Sequence, residues 1–141
     1  MGIADRRIED ANLVQAVAKL TPQKVKAAFD AVTKGEAGPR LKAYYESCMR
    51  CGMCAKACHF SISHPDDPSY TPIAKKEQTM WRLLRTDGNI PPEDVYGMAQ
   101  VAFTECNMCK RCVHYCPVGI DTGYITSLVR RFCFKLGMVP T

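Results

Sequence analysis

Long apolar runs are missing from this 141-residue chain, although it is 47% hydrophobic overall. No stretch approaches the roughly 18 consecutive apolar residues of a membrane span, so no direct span is expected. A secretory opening is lacking as well. Met1-Gly2-Ile3-Ala4-Asp5-Arg6-Arg7 leads into charge, and Ile8-Glu9-Asp10 stands where the apolar stretch after a twin-arginine pair would begin. Arg6 fills the place where a myristoylation signal carries Ser or Thr. These absences set the expectation of a cytoplasmic, reducing location, compatible with docking onto a membrane complex. Strand-like alternation is nowhere strong, which leaves all-α as the expected fold class. There is no nucleophile paired with a base, no glycine-rich phosphate loop and no nucleotide motif, so no catalysis is expected of the chain acting alone.

Cysteine is what the sequence has in excess. Eight of its nine cysteines fall into two copies of one spacing, Cys48-x2-Cys51-x2-Cys54-x3-Cys58 and Cys106-x2-Cys109-x2-Cys112-x3-Cys116-Pro117. This is the run with which bacterial ferredoxins hold iron–sulfur clusters, and it predicts two [4Fe-4S] centres. Three cysteines on a tight loop present thiolates to one cubane, and in two-cluster ferredoxins the fourth serves the other cluster. The expected ligand sets are therefore Cys48, Cys51, Cys54 and Cys116 for one centre and Cys106, Cys109, Cys112 and Cys58 for the other. A disulfide framework needs the missing secretory context. Zinc is the main rival, but structural zinc sites pair Cys-x2-Cys with a second pair a dozen or more residues away, and three successive spacings of three crowd a single tetrahedral ion. The radical-enzyme spacing Cys-x3-Cys-x2-Cys is present only when read backwards.

The formal net charge is +5 with cysteines counted neutral. Two oxidised clusters, each about −2 with its thiolates, bring the assembled protein to about +1, so basicity is no argument for nucleic acid. Lys75, Lys76, Arg82, Arg85, Arg130, Arg131 and Lys135 read as solvated helix faces, or as a docking face for an acidic partner. Met49, Met53, Met108, Val113, Tyr115, Val118 and Ile120 are candidates to wall the clusters from water. His59 and His114 stand close enough to the motifs to hydrogen-bond a cluster, though a surface or satisfied-core role is the simpler reading of both. Cys133 lies on an apolar helix stripe away from both motifs and reads as a small buried hydrophobe.

The patterning predicts two parts: an N-terminal helical hairpin over residues 1–39 and a cluster-binding domain over 40–141. Leu13, Val14, Val17 and Leu20 give the first limb its stripe. Thr21 and Pro22 open the second, which carries Val25, Ala28, Phe29 and Val32 and stops at Gly35 and Gly38-Pro39. A short helix over 41–47 leads into the first cysteine loop, and residues 59–70 read as loop. Thr71-Pro72 starts a helix with Ile73, Met80, Leu83 and Leu84 inward, and Asp87-Gly88-Asn89 turns the chain. Pro91-Pro92-Glu93-Asp94 opens a helix carrying Val95, Met98, Ala99, Ala102 and Phe103. Asp121 caps a last helix whose wide stripe (Ile125, Leu128, Val129, Phe132, Cys133, Leu136) is expected to need a partner surface. Counting from Cys48 to Cys106, the motif repeats after 58 residues with helix on either side, which suggests a pseudo-twofold arrangement.

Two stretches carry a family resemblance. Glu46-Ser47-Cys48-Met49-Arg50-Cys51-Gly52-Met53-Cys54-Ala55-Lys56-Ala57-Cys58-His59-Phe60, with Asp67-Pro68-Ser69-Tyr70-Thr71-Pro72, resembles the HdrC-like iron–sulfur proteins of the heterodisulfide reductases. So does Thr104-Glu105-Cys106-Asn107-Met108-Cys109-Lys110-Arg111-Cys112 running into Tyr115-Cys116-Pro117-Val118-Gly119-Ile120-Asp121. The resemblance covers about residues 40–137. It implies an α-helical ferredoxin fold with two [4Fe-4S] clusters, the eight motif cysteines as ligands, and electron transfer as the role. The implied partners are a flavin- or haem-bearing subunit and a cysteine-rich heterodisulfide reductase B-like subunit acting on disulfides or thiols. Several relatives continue into cysteine-rich domains with a Cys-Cys pair, which this sequence does not contain, so the thiol–disulfide site is expected on another polypeptide or outside this piece of sequence. The alternative is a freestanding ferredoxin-like carrier or redox sensor.

Overall fold

The computed structural model describes residues 9–141, and among them every regular element is helical. The expectations for the first eight residues lie outside the described part. Asp10 caps α1 (Ala11–Ala18) by accepting the Leu13 N–H at 3.1 Å, and its carboxylate also accepts the Thr141 N–H at 2.9 Å. Of the expected stripe in α1 only Leu13 is buried, while Val17 and Leu20 are half-buried and Val14 faces outward. A helix of two turns lying on α7 (Asp94–Thr104) can offer it little more than one turn.

α2 (Pro22–Thr33) starts where its cap demands: the Thr21 hydroxyl accepts the Lys24 N–H, and Pro22 needs no donor in the first turn. Val25, Ala28, Phe29 and Val32 are all buried, against α3 (Ala37–Ser47) and α9 (Thr122–Lys135). α3 begins earlier than the expected 41–47. Gly38 and Pro39 sit in its first turn, where a missing N–H breaks no intrahelical bond, so they do not act as a stop.

Residues 59–70 also differ from the expected loop. They form α4 (His59–Ser63) and a 3-10 turn (Pro68–Tyr70), because the Cys58 carbonyl accepts the Ile62 N–H at 2.9 Å and Asp67 caps the Ser69 N–H. The single helix expected after Thr71 is two, α5 (Pro72–Gln78) and α6 (Met80–Thr86), broken at Thr79, whose φ and ψ of −121° and −100° lie outside the helical region. The break redirects the chain so that Met80, Trp81 and Leu83 all reach the core. Asp87 and Gly88 then turn it with positive φ.

α9 requires a correction. Asp121 caps it and Gly137 closes it, with the Met138 N–H bonded to the Cys133 carbonyl at 2.9 Å. However, Ile125, Leu128, Val129, Phe132 and Cys133 are covered by this chain's own α7, α2, α5 and α6. Each large side chain buried there is worth roughly 1.5–3 kcal/mol to the monomer itself. The stripe is therefore no mark of a partner surface; on the opposite face only Phe134 is a large exposed apolar residue, at 73%. Residues of α1 and α2 share one continuous core with α6, α7 and α9.

Candidate metal centre

The two cysteine loops are built alike. The first leaves α3 at Cys48 and takes left-handed backbone at Arg50 and Gly52 (φ 55° and 76°) before a 3-10 turn over Met53–Ala57. The second leaves α7 at Glu105 and takes left-handed backbone at Met108 and Lys110 (φ 57° and 63°) before α8 (Arg111–Tyr115). The left-handed residues occupy the same places in each motif. Backbone that alternates hand in this way turns successive N–H groups toward one concavity, a form that suits anions such as iron–sulfur clusters. Cys58 and Cys116 then leave their turns in nearly the same extended conformation, at φ −83° ψ 116° and φ −81° ψ 120°. The 3-10 turn packs against α8, which joins the halves where each fourth cysteine departs.

Two small cavities result, and each is lined by four cysteines. One is lined by Cys48, Cys51, Cys54 and Cys116. The other is lined by Cys58, Cys106, Cys109 and Cys112. None of the nine cysteines is in a disulfide. Among the described residues no three His, Cys, Asp or Glu side chains gather closely enough to grip one ion; the thiols of each set are spread around a cavity instead. The donor set, its division into fours and the shape of the loops all fit a cubane with soft thiolate ligands.

The surroundings differ between the cavities. Ile73, Lys76, Val118 and Ile120 help to wall the first, while Phe60, Pro72, Lys75 and Thr122 help to wall the second. Of the expected apolar wall, Ile120 is buried and Met108 lines the second cavity, but Met49, Met53, Tyr115 and Val118 are substantially exposed. Met49 and Val118 form an apolar rim at the mouth of the first cavity, beside exposed Cys51. The Thr126 hydroxyl lies 3.5 Å from Cys106 Sγ. Burial pushes the Cys54 thiol above its ordinary range against the pull of the Lys76 charge, and pushes Cys112 up against a hydrogen bond from Thr122. To hold a metal as thiolates, Cys54 and Cys112 would give up their protons against that burial.

Several charges expected on the surface hold the site together instead. Lys75 and Lys76 are only 4% and 3% exposed, which corrects the reading of them as a solvated or docking face. Arg130 donates to the Ala102 carbonyl at 2.9 Å and to the Cys106 carbonyl at 2.6 Å, tying the end of α7 and the start of the second loop to α9. Arg82 pairs with Asp94. Glu77 accepts from Arg50 of the first loop at 3.0 Å and from Arg85 at 2.5 Å. Burial works to raise the Glu77 carboxyl, but the bonds from Arg85 and Arg50 prevail and hold it below the usual range. Among the histidines, His59 lines the second cavity, His64 stacks on Tyr70, and His114 is exposed. Cys133 is fully buried away from both cavities, and burial pushes its thiol up to about 12.

Residues 44–120, which span both loops and both cavities, match the 4Fe-4S dicluster domain family. The chain belongs to that family. It carries two [4Fe-4S] clusters, and its part is that of an iron–sulfur electron-transfer protein. It is similar to the Hdr-like menaquinol oxidoreductase iron-sulfur subunit 2 of Archaeoglobus fulgidus, 31% identical in a 110-residue alignment that covers 70% of this chain and 20% of that protein. It is also similar to the Hdr-like menaquinol oxidoreductase iron-sulfur subunit of Archaeoglobus profundus, 30% identical in a 115-residue alignment that again covers 70% of this chain and 20% of the relative. The chain thus spans about a fifth of the length of these curated relatives. No solved structure is a significant match.

Proposed function

We propose that this protein is the electron-transfer subunit of a heterodisulfide reductase-like complex. It relays electrons between a flavin- or haem-bearing partner and a cysteine-rich catalytic subunit acting on disulfides or thiols. The observation that carries the reading is the division of eight cysteines between two adjacent cavities, each drawing three from one motif and one from the other. In this reading Cys48, Cys51, Cys54 and Cys116 hold one cluster, and Cys106, Cys109, Cys112 and Cys58 hold the other. Bound there, the clusters supply reversible one-electron redox chemistry.

The chain's own residues do the rest. Ile73 and Ile120 limit water at the first cavity, and Phe60 and Pro72 do so at the second. Arg50, Glu77 and Arg85 hold the first loop to α5 and α6, and Arg130 anchors the second to α7 and α9. With the α9 stripe used internally, the surface suited to a redox partner is the apolar rim of Met49 and Val118, where an exposed ligand meets solvent. Among the described residues no helix is long and apolar enough to cross a membrane, so attachment to a membrane complex would run through partner subunits. Size-exclusion of an anaerobic native extract tests this: the protein is expected to comigrate with a larger assembly containing flavin or haem. Elution of all the protein as a lone monomer with both clusters intact favours the freestanding carrier.

A further inference from the structure

α5 separates the two cavities, and the geometry of the helix decides what it shows to each. Residues three apart share a face and adjacent residues diverge by about 100°. Ile73 and Lys76 accordingly line the first cavity, while Pro72 and Lys75 line the second. Two neighbouring lysines on one short helix are therefore sent in different directions, one to each cluster site, and both are almost wholly buried. Lys75 Nζ donates to the Glu105 carbonyl at 2.5 Å, lies 3.5 Å from Cys58 Sγ and sits 4.5 Å from the centre of the Phe60 ring. Lys76 Nζ lies 5.7 Å from the centre of the buried Trp81 ring, and its charge acts on Cys54.

Burying an ammonium is costly unless an opposite charge or strong acceptors compensate for lost water. Those contacts of Lys75 and Lys76 are with a neutral carbonyl, a sulfur and ring faces, and a buried carboxylate, that of Glu105, belongs to the residue whose carbonyl Lys75 reaches. An anionic cluster beside each ammonium adds compensation that neutral groups do not. A cluster with four thiolates is an anion, and it gains a further negative charge on reduction. We propose that Lys75 and Lys76 are positioned charges, one private to each cluster, which favour the reduced state and set the two reduction potentials separately. The inference rests on the ligand sets proposed above. A buried cation is screened little by solvent or salt, so its effect on the nearer cluster exceeds that of any surface lysine. Lys75 adds a donor to a ligand sulfur, a second influence on potential at the second centre.

An anaerobic, EPR-monitored redox titration of the full chain with both clusters loaded tests this. Signals are first assigned with C51S and C109S. K76M is expected to shift the first centre to a more negative potential and leave the second where it was; K75M is expected to do the reverse. K75R and K76R, which keep the charge, are expected to stay at the unmodified potentials. Unmoved potentials in both methionine variants overturn the proposal, and so do equal shifts of both centres in either one. If a methionine variant fails to load its cluster while the arginine variant loads it at the original potential, the need for charge is upheld. Failure of both kinds assigns the lysine to packing and counts against the proposal. Absence of two clusters from the unmodified protein is a separate outcome, which overturns the ligand assignment and, with it, the role of the lysines.

Discussion

Cys133 shows how differently one residue type behaves under two environments. It lies with Phe132 and Val129 in the core, with a thiol pushed up to about 12, whereas Cys51 and Cys109 reach the surface at the tips of their loops. A thiolate and not a thiol is the nucleophile. In the cluster-loaded protein under anaerobic, mildly alkaline conditions, Cys133 is expected to resist alkylation by iodoacetamide and to react fully only after denaturation. Labelling of Cys133 at the rate of a free peptide thiol, read by peptide mass mapping, would show that it is not an inert core residue. Its place was legible from the sequence because Ile125, Leu128, Val129 and Phe132 surround it at helical spacing. The eight other cysteines were legible from spacing alone. Lys75 and Lys76 were not, because adjacent lysines on a helix normally face water, and only the tertiary position of α5 between two cavities turns both inward.

At the scale of elements, three helix starts were read well where a side chain caps them. Thr21, Thr71 and Asp121 each accept a backbone N–H three residues on, as Ser/Thr/Asp followed by Pro or an apolar run suggested. Other features were missed: α4 depends on the Cys58 carbonyl, the 3-10 turn on the Asp67 side chain, and the break at Thr79 leads directly into buried Met80 and Trp81. The α6–α7 turn is the tightest test of the scaffold. Gly88 has φ 76°, and a Cβ there would meet the Phe29 ring at 2.7 Å. Gly88→Ala therefore combines an unfavourable backbone with overpacking against α2. It is expected to destabilise the loaded protein by roughly 1–3 kcal/mol, read as a lowered denaturation midpoint. Gly35→Ala, which shares the positive φ but has open space around it, is the control and is expected to cost less. Equal losses from both would mean that the approach of Phe29 carries no weight.

For the molecule as a whole, the sequence repeat becomes a structural one: left-handed residues at matching places, and fourth cysteines leaving their turns alike. The surroundings do not repeat. The first cavity opens on an apolar rim, while the second has the Thr122 and Thr126 hydroxyls and a lysine next to the Cys58 sulfur. Two centres with unlike surroundings are expected to have unlike potentials. The wide stripe of α9 was visible in the sequence, but its destination was not, because an apolar face does not declare whether its cover is another helix of the chain or a separate protein.

The exchange of fourth ligands between the halves is the claim on which the rest depends, and Cys116→Ser tests it most directly. In anaerobically reduced protein, its EPR spectrum is expected to change in the signal that Cys51→Ser also changes, with the Cys109→Ser signal untouched. A spectrum altered instead in the signal shared with Cys109→Ser would mean that each motif keeps its own four cysteines, and would contradict the crossed arrangement.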